Sequence, residues 1–283
     1  MKLRIALLSL GLSLLQAGFA LVAMADDPEA AKQFDETVVE ESTLGDETLW
    51  NASAGGVWSA GNTKQLTMNA GSEARYVRGH HGASGKLGIV YGAADTGSGF
   101  EKNAFNINTR IRYDYYVTHD DAVFAAFVYR HDRFAGLDHR VEGQVGYQRH
   151  FFRFENHRFW GELGYDITVD RWVLDSPVFD ALGTQTGTIR AFDWVDPVHA
   201  GRAYLGYENR LNENVSFLSG VEVLMNLELP EDTRVNWDTS LSSTLVDSLS
   251  LQVGFLLQFD NVPVPGKQKL DTQTRLNLVY EFI

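Results

Sequence analysis

From Thr48 onward, hydrophobic and polar residues alternate with a period of two. The clearest run is Asn103–Tyr116: Phe105, Ile107, Thr109, Ile111, Tyr113 and Tyr115 fall on one face, and Asn106, Asn108, Arg110, Arg112 and Asp114 on the other. A helix would scatter those charges around its circumference, whereas a strand separates them. The pattern recurs in 140–151, 158–170, 249–260 and 271–282. In 249–260, for example, Leu249, Leu251, Val253, Phe255, Leu257 and Phe259 oppose Ser250, Gln252, Gly254, Gln258 and Asp260. These runs are about 11–14 residues long, against about 5–6 for a usual strand. The excess matches the roughly 9–11 residues that a tilted strand needs to cross a bilayer.

About 12 such segments are predicted, near 48–60, 63–77, 83–93, 103–117, 122–133, 139–152, 157–172, 200–210, 214–228, 233–245, 249–260 and 270–283. Tight connections (Arg78–Gly82, Thr118–Asp121, Arg153–Asn156, Leu211–Glu213, Val246–Ser248) alternate with mostly longer ones, of which Val173–His199 is the longest. An even strand number with short turns on one side and long loops on the other is the pattern of bacterial outer-membrane barrels. The expected fold is all-β: a transmembrane antiparallel up-and-down β-barrel of about 12 strands over 48–283. A soluble β-sandwich alternates too, but with shorter strands and an apolar face turned inward.

The N-terminus changes the picture only by adding an address. Lys2 and Arg4, the apolar stretch Ile5–Val22 and the small-residue pattern Ala23-Met24-Ala25 read as a secretory signal over 1–25. No later segment approaches the roughly 18 apolar residues of a spanning helix. Residues 26–47 hold nine acids against Lys32 and read as an acidic, flexible periplasmic tail. The formal net charge of −13 argues against a nucleic-acid partner. With no cysteine in the chain, no disulfide framework is available.

Several stretches resemble one family. Gly61-Asn62-Thr63, Tyr113-Asp114-Tyr115, the run from Arg130 to Arg140, Gly146-Tyr147-Gln148, Pro263-Val264-Pro265-Gly266 with Asp271-Thr272, and Tyr280-Glu281-Phe282 are similar to the DUF481 family, also called YdiY-like or salt-induced outer-membrane proteins. The resemblance covers roughly 48–283, and its most specific part is the stretch Arg130-His131-Asp132-Arg133-Phe134-x-Gly136-Leu137-Asp138. It implies a monomeric barrel in the bacterial outer membrane and assigns no activity. The family usually ends on the aromatic, whereas here Ile283 follows Phe282.

The polar faces carry the candidate chemistry. Glu73, Arg75, Arg110, Arg112, Asp114, Arg130, Asp132, Arg140, Glu142, Glu162, Asp166, Asp170, Arg202, Glu208, Arg210 and Glu222 are expected to face the lumen. Seven arginines against nine acids should meet as ion pairs, because each would carry a large desolvation cost alone. One reading is a structural lattice filling the interior; the other is a water-filled, weakly selective pore. The run Arg130, His131, Asp132, Arg133, Asp138, His139, Arg140 holds residue types that can bind a metal or activate water, or form a tight hairpin with Gly136 at positive φ. The aromatic and acidic segment 173–199 is a constriction, an outside binding loop or a lid. Tyr115, Tyr116, Phe151, Phe152, Phe159, Trp160, Trp172 and Tyr280 read as interfacial girdles.

The expected function is that of a non-enzymatic envelope protein: a narrow, weakly selective channel, or a component linked to osmotic or salt response. It has no cofactor, no metal and no catalytic residue, and both termini lie in the periplasm after Sec export. Its partners are outer-membrane lipid, lipopolysaccharide and the barrel-assembly machinery. The alternatives are a hydrolase at the outer rim, drawing on His131, His139 or His199 with Ser98 or Ser176, and a soluble periplasmic β-protein.

Overall fold

The computed structural model describes residues 47–59, 64–95, 99–173, 176–179, 185–263 and 268–282. The secretory segment and acidic tail (apart from Glu47), Gly61-Asn62-Thr63 and Ile283 lie outside the described residues. Fourteen strands follow one another: β1 (Glu47–Ser59), β2 (Gln65–Arg78), β3 (His81–Asp95), β4 (Phe100–Tyr116), β5 (Asp121–Asp132), β6 (Leu137–Arg153), β7 (His157–Trp172), β8 (Ser176–Phe179), β9 (Gln185–Ile189), β10 (Val198–Asn212), β11 (Val215–Asn226), β12 (Thr233–Val246), β13 (Leu249–Asp260) and β14 (Leu270–Glu281). Twelve of them close into one antiparallel barrel, and β8 and β9 form a separate two-stranded sheet. Each barrel strand pairs with its sequence neighbour, β7 pairs directly with β10, and the barrel shuts where β1 meets β14, with Ser53 opposite Val279. The seam runs over four residue pairs, from Asn51↔Glu281 to Ala54↔Leu278, and joins the two terminal strands into the closed form that lets a β-structure sit in lipid.

The alternation read from the sequence is the inside–outside alternation of the wall. On β4, Asn106, Arg112 and Asp114 are buried while Ile111, Tyr113 and Tyr115 are exposed. On β7, Glu162 is 3% exposed and its neighbour Leu163 is 68% exposed. A chain that buries acids and presents leucine is inside out for water. It is correct for a lipid solvent, so the outward belt is membrane-facing. Among the described residues no helix is long and apolar enough to cross a membrane. Aromatic side chains gather near the strand ends: Phe151, Phe152 and Phe159 at the short-turn end, with Phe152 and Phe159 stacked at 5.5 Å, and Trp58 against Phe100 at the loop end. Tyr115 and Tyr280 sit in the outward belt as expected, but Trp160 is fully buried and faces the lumen.

The small apolar interior sits at the short-turn half, where Trp160 packs against Tyr204 with ring centroids 6.2 Å apart. Gly206 makes room for that indole, since a Cβ there would stand 2.2 Å from Trp160 Cζ2.

The segment expected as a plain loop over 173–199 contains the β8–β9 hairpin. Its return limb lies on the rim: Phe192 N–H donates to the Trp172 carbonyl at 2.8 Å, Val195 N–H to the Asp170 carbonyl at 2.8 Å, and Trp194 bridges to Arg171. These bonds line the last residues of β7, beyond the point where its pairing with β10 ends. Two four- to five-residue strands in an acidic, turn-rich stretch are too short for periodicity to reveal.

Candidate functional site

Even-numbered positions of the barrel strands β3 to β7 and β10 to β13 and odd-numbered positions of β2 and β14 point into the lumen, so polar residues on strands far apart in sequence converge there. At mid-height, Arg112 on β4 donates from Nη1 to Glu162 on β7 at 2.6 Å and from Nη2 to Gln148 on β6 at 2.5 Å, and it also pairs with Asp114 at 2.7 Å. Arg202 on β10 donates to the other Glu162 oxygen at 2.5 Å and to Glu222 on β11 at 2.7 Å. Asn236 on β12 donates to Glu222 at 2.9 Å, and Gln258 on β13 to Asn236 at 3.1 Å. One continuous chain of hydrogen bonds therefore runs from β4 to β13 across the lumen. Phe124 on β5 underlies it, with the Arg112 and Arg202 guanidinium carbons 4.1 and 5.5 Å from its ring centroid.

Toward the loop end a second layer fills the bore. Arg140 grips Asp170 with two bonds of 2.7 Å each, the bidentate form that fixes both side chains. Asn106 donates to Asp132 at 2.6 Å, with Arg130 3.4 Å from the same carboxylate. Arg234 on β12 reaches across to Glu142 on β6 at 3.8 Å and to Asp166 on β7 at 3.9 Å. Toward the short turns, Arg158 meets Glu208 at 2.5 Å and Lys86 meets Glu73 at 3.3 Å. Beside the lattice lies a cavity of about 40 Å³ whose wall includes Arg75, Lys86, Arg110, Asp114 and Tyr116. A water needs roughly 10–15 Å³ on the same measure, so the space holds a few waters and no hydrated solute.

The expected lumen residues are thus distributed as follows. Arg112, Asp114, Glu162, Arg202 and Glu222 form one lattice; Arg130 with Asp132 and Arg140 with Asp170 form pairs. Glu142, Asp166 and Glu208 find cations that the sequence reading did not include, Arg234 and Arg158. Arg110 stands in the cavity wall, and Arg75 donates to the Tyr116 hydroxyl at 3.1 Å. Arg210 is half-buried at the short-turn end, where its backbone N–H donates to Asn156. Lys86 and the pair Arg275–Asp238, 2.7 Å apart, were also missed. All five of these residues obey the same alternation. Arg158 and Arg234 were overlooked because each is the second residue of its strand, where the pattern has only begun.

The rim cluster divides between the two faces. Arg130, Asp132 and Arg140 turn inward, whereas His131 and His139 turn outward with ring centroids 5.5 Å apart. Gly136 takes the expected positive φ, 82°. His131 Nδ1 lies 2.5 Å from the Asp138 carbonyl and His139 Nδ1 2.8 Å from the Tyr129 hydroxyl. His199 bonds to the hydroxyl of Tyr165. Among the described residues none of these three rings engages a serine; Ser98 and the Ser176 side chain lie outside them.

A family model described as "Protein of unknown function, DUF481" matches residues 52–282. No curated protein is significantly similar to the chain in sequence. Among solved structures, an outer-membrane channel from Pseudomonas putida F1 is 12% identical, with 90% of this chain and 100% of that one covered and a TM-score of 0.47. The NanC porin is 8% identical over 83% of this chain and 100% of that one, with a TM-score of 0.47. The translocator domain of the autotransporter NalP from Neisseria meningitidis is 14% identical over 83% and 87%, with a TM-score of 0.42.

Proposed function

The chain belongs to the DUF481 family, whose description assigns no activity, and we propose that it is a non-enzymatic outer-membrane barrel whose narrow lumen is held shut by the Arg112–Glu162–Arg202–Glu222 lattice and conducts ions weakly when that lattice loosens. The observation that carries this reading is the unbroken hydrogen-bonded chain from β4 to β13, with a cavity of about 40 Å³ beside it. Mixed charges of nearly equal number give such a channel little preference between cations and anions. Salt weakens charge pairs most where they reach water, so an osmotic or salt response would act through exposed pairs such as Arg149–Asp121, with the arginine 54% exposed, rather than on the buried lattice itself. The outward apolar belt supports lipid and lipopolysaccharide as the surroundings, and the alternation of short turns with long loops supports periplasmic termini after Sec export. Closure of the sheet within one chain supports a monomer inserted by the barrel-assembly machinery.

The test is potassium efflux from liposomes holding the refolded protein, compared with a variant carrying Arg112→Ser, Glu162→Ser, Arg202→Ser and Glu222→Ser together. The account expects slow efflux from the wild type and at least tenfold faster efflux from the variant, with folding of both verified by heat-dependent gel migration. Equal rates in two folded proteins would overturn it.

A further inference from the structure

We propose that His131, Asp138 and His139, on the outward face of the loop-side rim, form a binding site for a borderline-soft divalent cation such as Zn2+. This does not depend on how the lumen behaves.

The site is made at an irregularity of β6 around Asp138. The register of β6 shifts there against both neighbours, against β5 between Arg130 and Asp132 and against β7 between Leu137 and His139. Bulges re-aim side chains, and here they bring one ligand atom from each of the three residues within 4.8 Å of one another. His139 Nε2 is 3.5 Å from Asp138 Oδ2. Asp138 is only 8% exposed, with His139, Arg133 and Arg171 around its carboxylate and His131 on its backbone carbonyl.

The hydrogen bonds set the rings in the form a metal requires. The Asp138 carbonyl can only accept, so the His131 Nδ1 facing it at 2.5 Å carries the proton, and in the neutral ring Nε2 keeps its lone pair. His139 Nδ1 faces the Tyr129 hydroxyl oxygen at 2.8 Å, which accepts its proton in the same way when Nε2 ligates. Oxygen acceptors on the second ring nitrogen are what orient metal-bound histidines and raise their basicity. Phe105 meets His131 edge-on at 5.9 Å and Trp194 stacks on His139 at 6.3 Å, so both rings are fixed before any ion arrives. Two imidazoles and one carboxylate leave a fourth tetrahedral position for water. Imidazole donors select Zn2+, Co2+, Ni2+ or Cu2+ over Mg2+ and Ca2+.

Two cations oppose binding. Arg133 and Arg171 stand 3.5 and 3.6 Å from the Asp138 carboxylate. These contacts are longer than the roughly 2.7–2.9 Å of a tight charge-assisted bond. Both guanidiniums are also held by Phe192, 5.6 and 5.7 Å from its ring centroid, and Arg171 donates to the Phe192 carbonyl at 2.7 Å. An ion at about 2.1 Å from the carboxylate displaces the weaker contact, but the positive field lowers affinity. The same argument predicts that removing Arg133 tightens the site.

The experiment titrates detergent-folded protein with Co2+, reading the visible d–d absorption, and then displaces Co2+ with Zn2+. The expected result is a saturable tetrahedral spectrum at one equivalent. His131→Ala and His139→Ala should each weaken it by roughly tenfold or more, in line with loss of a ligand. Arg133→Ala should strengthen it roughly threefold, as expected for removing one partly screened positive neighbour. The chain has eight histidines, so a spectrum unchanged in both histidine variants would place the ion elsewhere and overturn the proposal, as would no spectrum in the wild type.

Discussion

Glu162 is the residue on which the closed lumen most depends, and Glu162→Gln is the cleanest way to test its weight. Its two oxygens accept from Arg112 at 2.6 Å and from Arg202 at 2.5 Å, and the three side chains are 1%, 6% and 1% exposed. Glutamine keeps the shape and one acceptor but removes the charge between two guanidiniums. Removing one partner of a buried pair costs about 3–5 kcal/mol, because the other charge is left without compensation. Arg112 keeps Asp114 and Gln148, and Arg202 keeps Glu222, so the lower end applies. The expected loss is about 3 kcal/mol, or roughly a hundredfold in the folding constant. Tryptophan fluorescence during urea unfolding in lipid vesicles measures it. Lys64→Ala serves as the control, since the Lys64–Asp95 contact is 3.4 Å long with a half-exposed lysine, and exposed pairs contribute about 0.5 kcal/mol. A Glu162→Gln barrel as stable as the Lys64→Ala barrel would refute the claim that the lattice is a tightly coupled buried network.

Three further outcomes follow from the same geometry. Leu163→Arg, at an outward position 68% exposed near the middle of β7, should cost about 2–4 kcal/mol in vesicles, read by the same unfolding assay. Gly206→Ala should destabilise by about 1–3 kcal/mol because its methyl would meet the Trp160 ring, and Trp160→Leu in the same chain should recover part of that loss in a double-mutant cycle. Trp194→Ala should speed proteolytic cleavage within 174–197, since the indole stacked on His139 is part of what holds the return limb to the rim.

The wall was legible in the sequence because a barrel repeats one local rule along every strand. Asn103–Tyr116 gave β4 and its facing without any knowledge of its neighbours, and the twelve predicted segments coincide with the barrel strands to within a few residues. The pairings inside were not legible, because they depend on which strands stand opposite one another in the closed ring. Arg234 illustrates this: nothing near residue 234 points to Glu142, ninety-two positions earlier and across the bore. The inward apolar run of β5, with Ala122, Phe124, Ala126 and Val128 buried, was also hidden, since both faces of that strand are hydrophobic and the alternation vanishes. The rim site escaped for a different reason. His131, Asp138 and His139 were visible as metal-binding residue types, but a regular hairpin would not bring them together; the bulges do, and periodicity does not announce a bulge.

The central claim is a lumen closed by its own charges, and single-channel recording of the purified, refolded wild-type protein in a planar bilayer tests it most directly. The account predicts a silent or barely conducting barrel at moderate salt, with at most brief, small openings. Stable, long-lived unitary steps at moderate salt, from protein verified as folded, would contradict it.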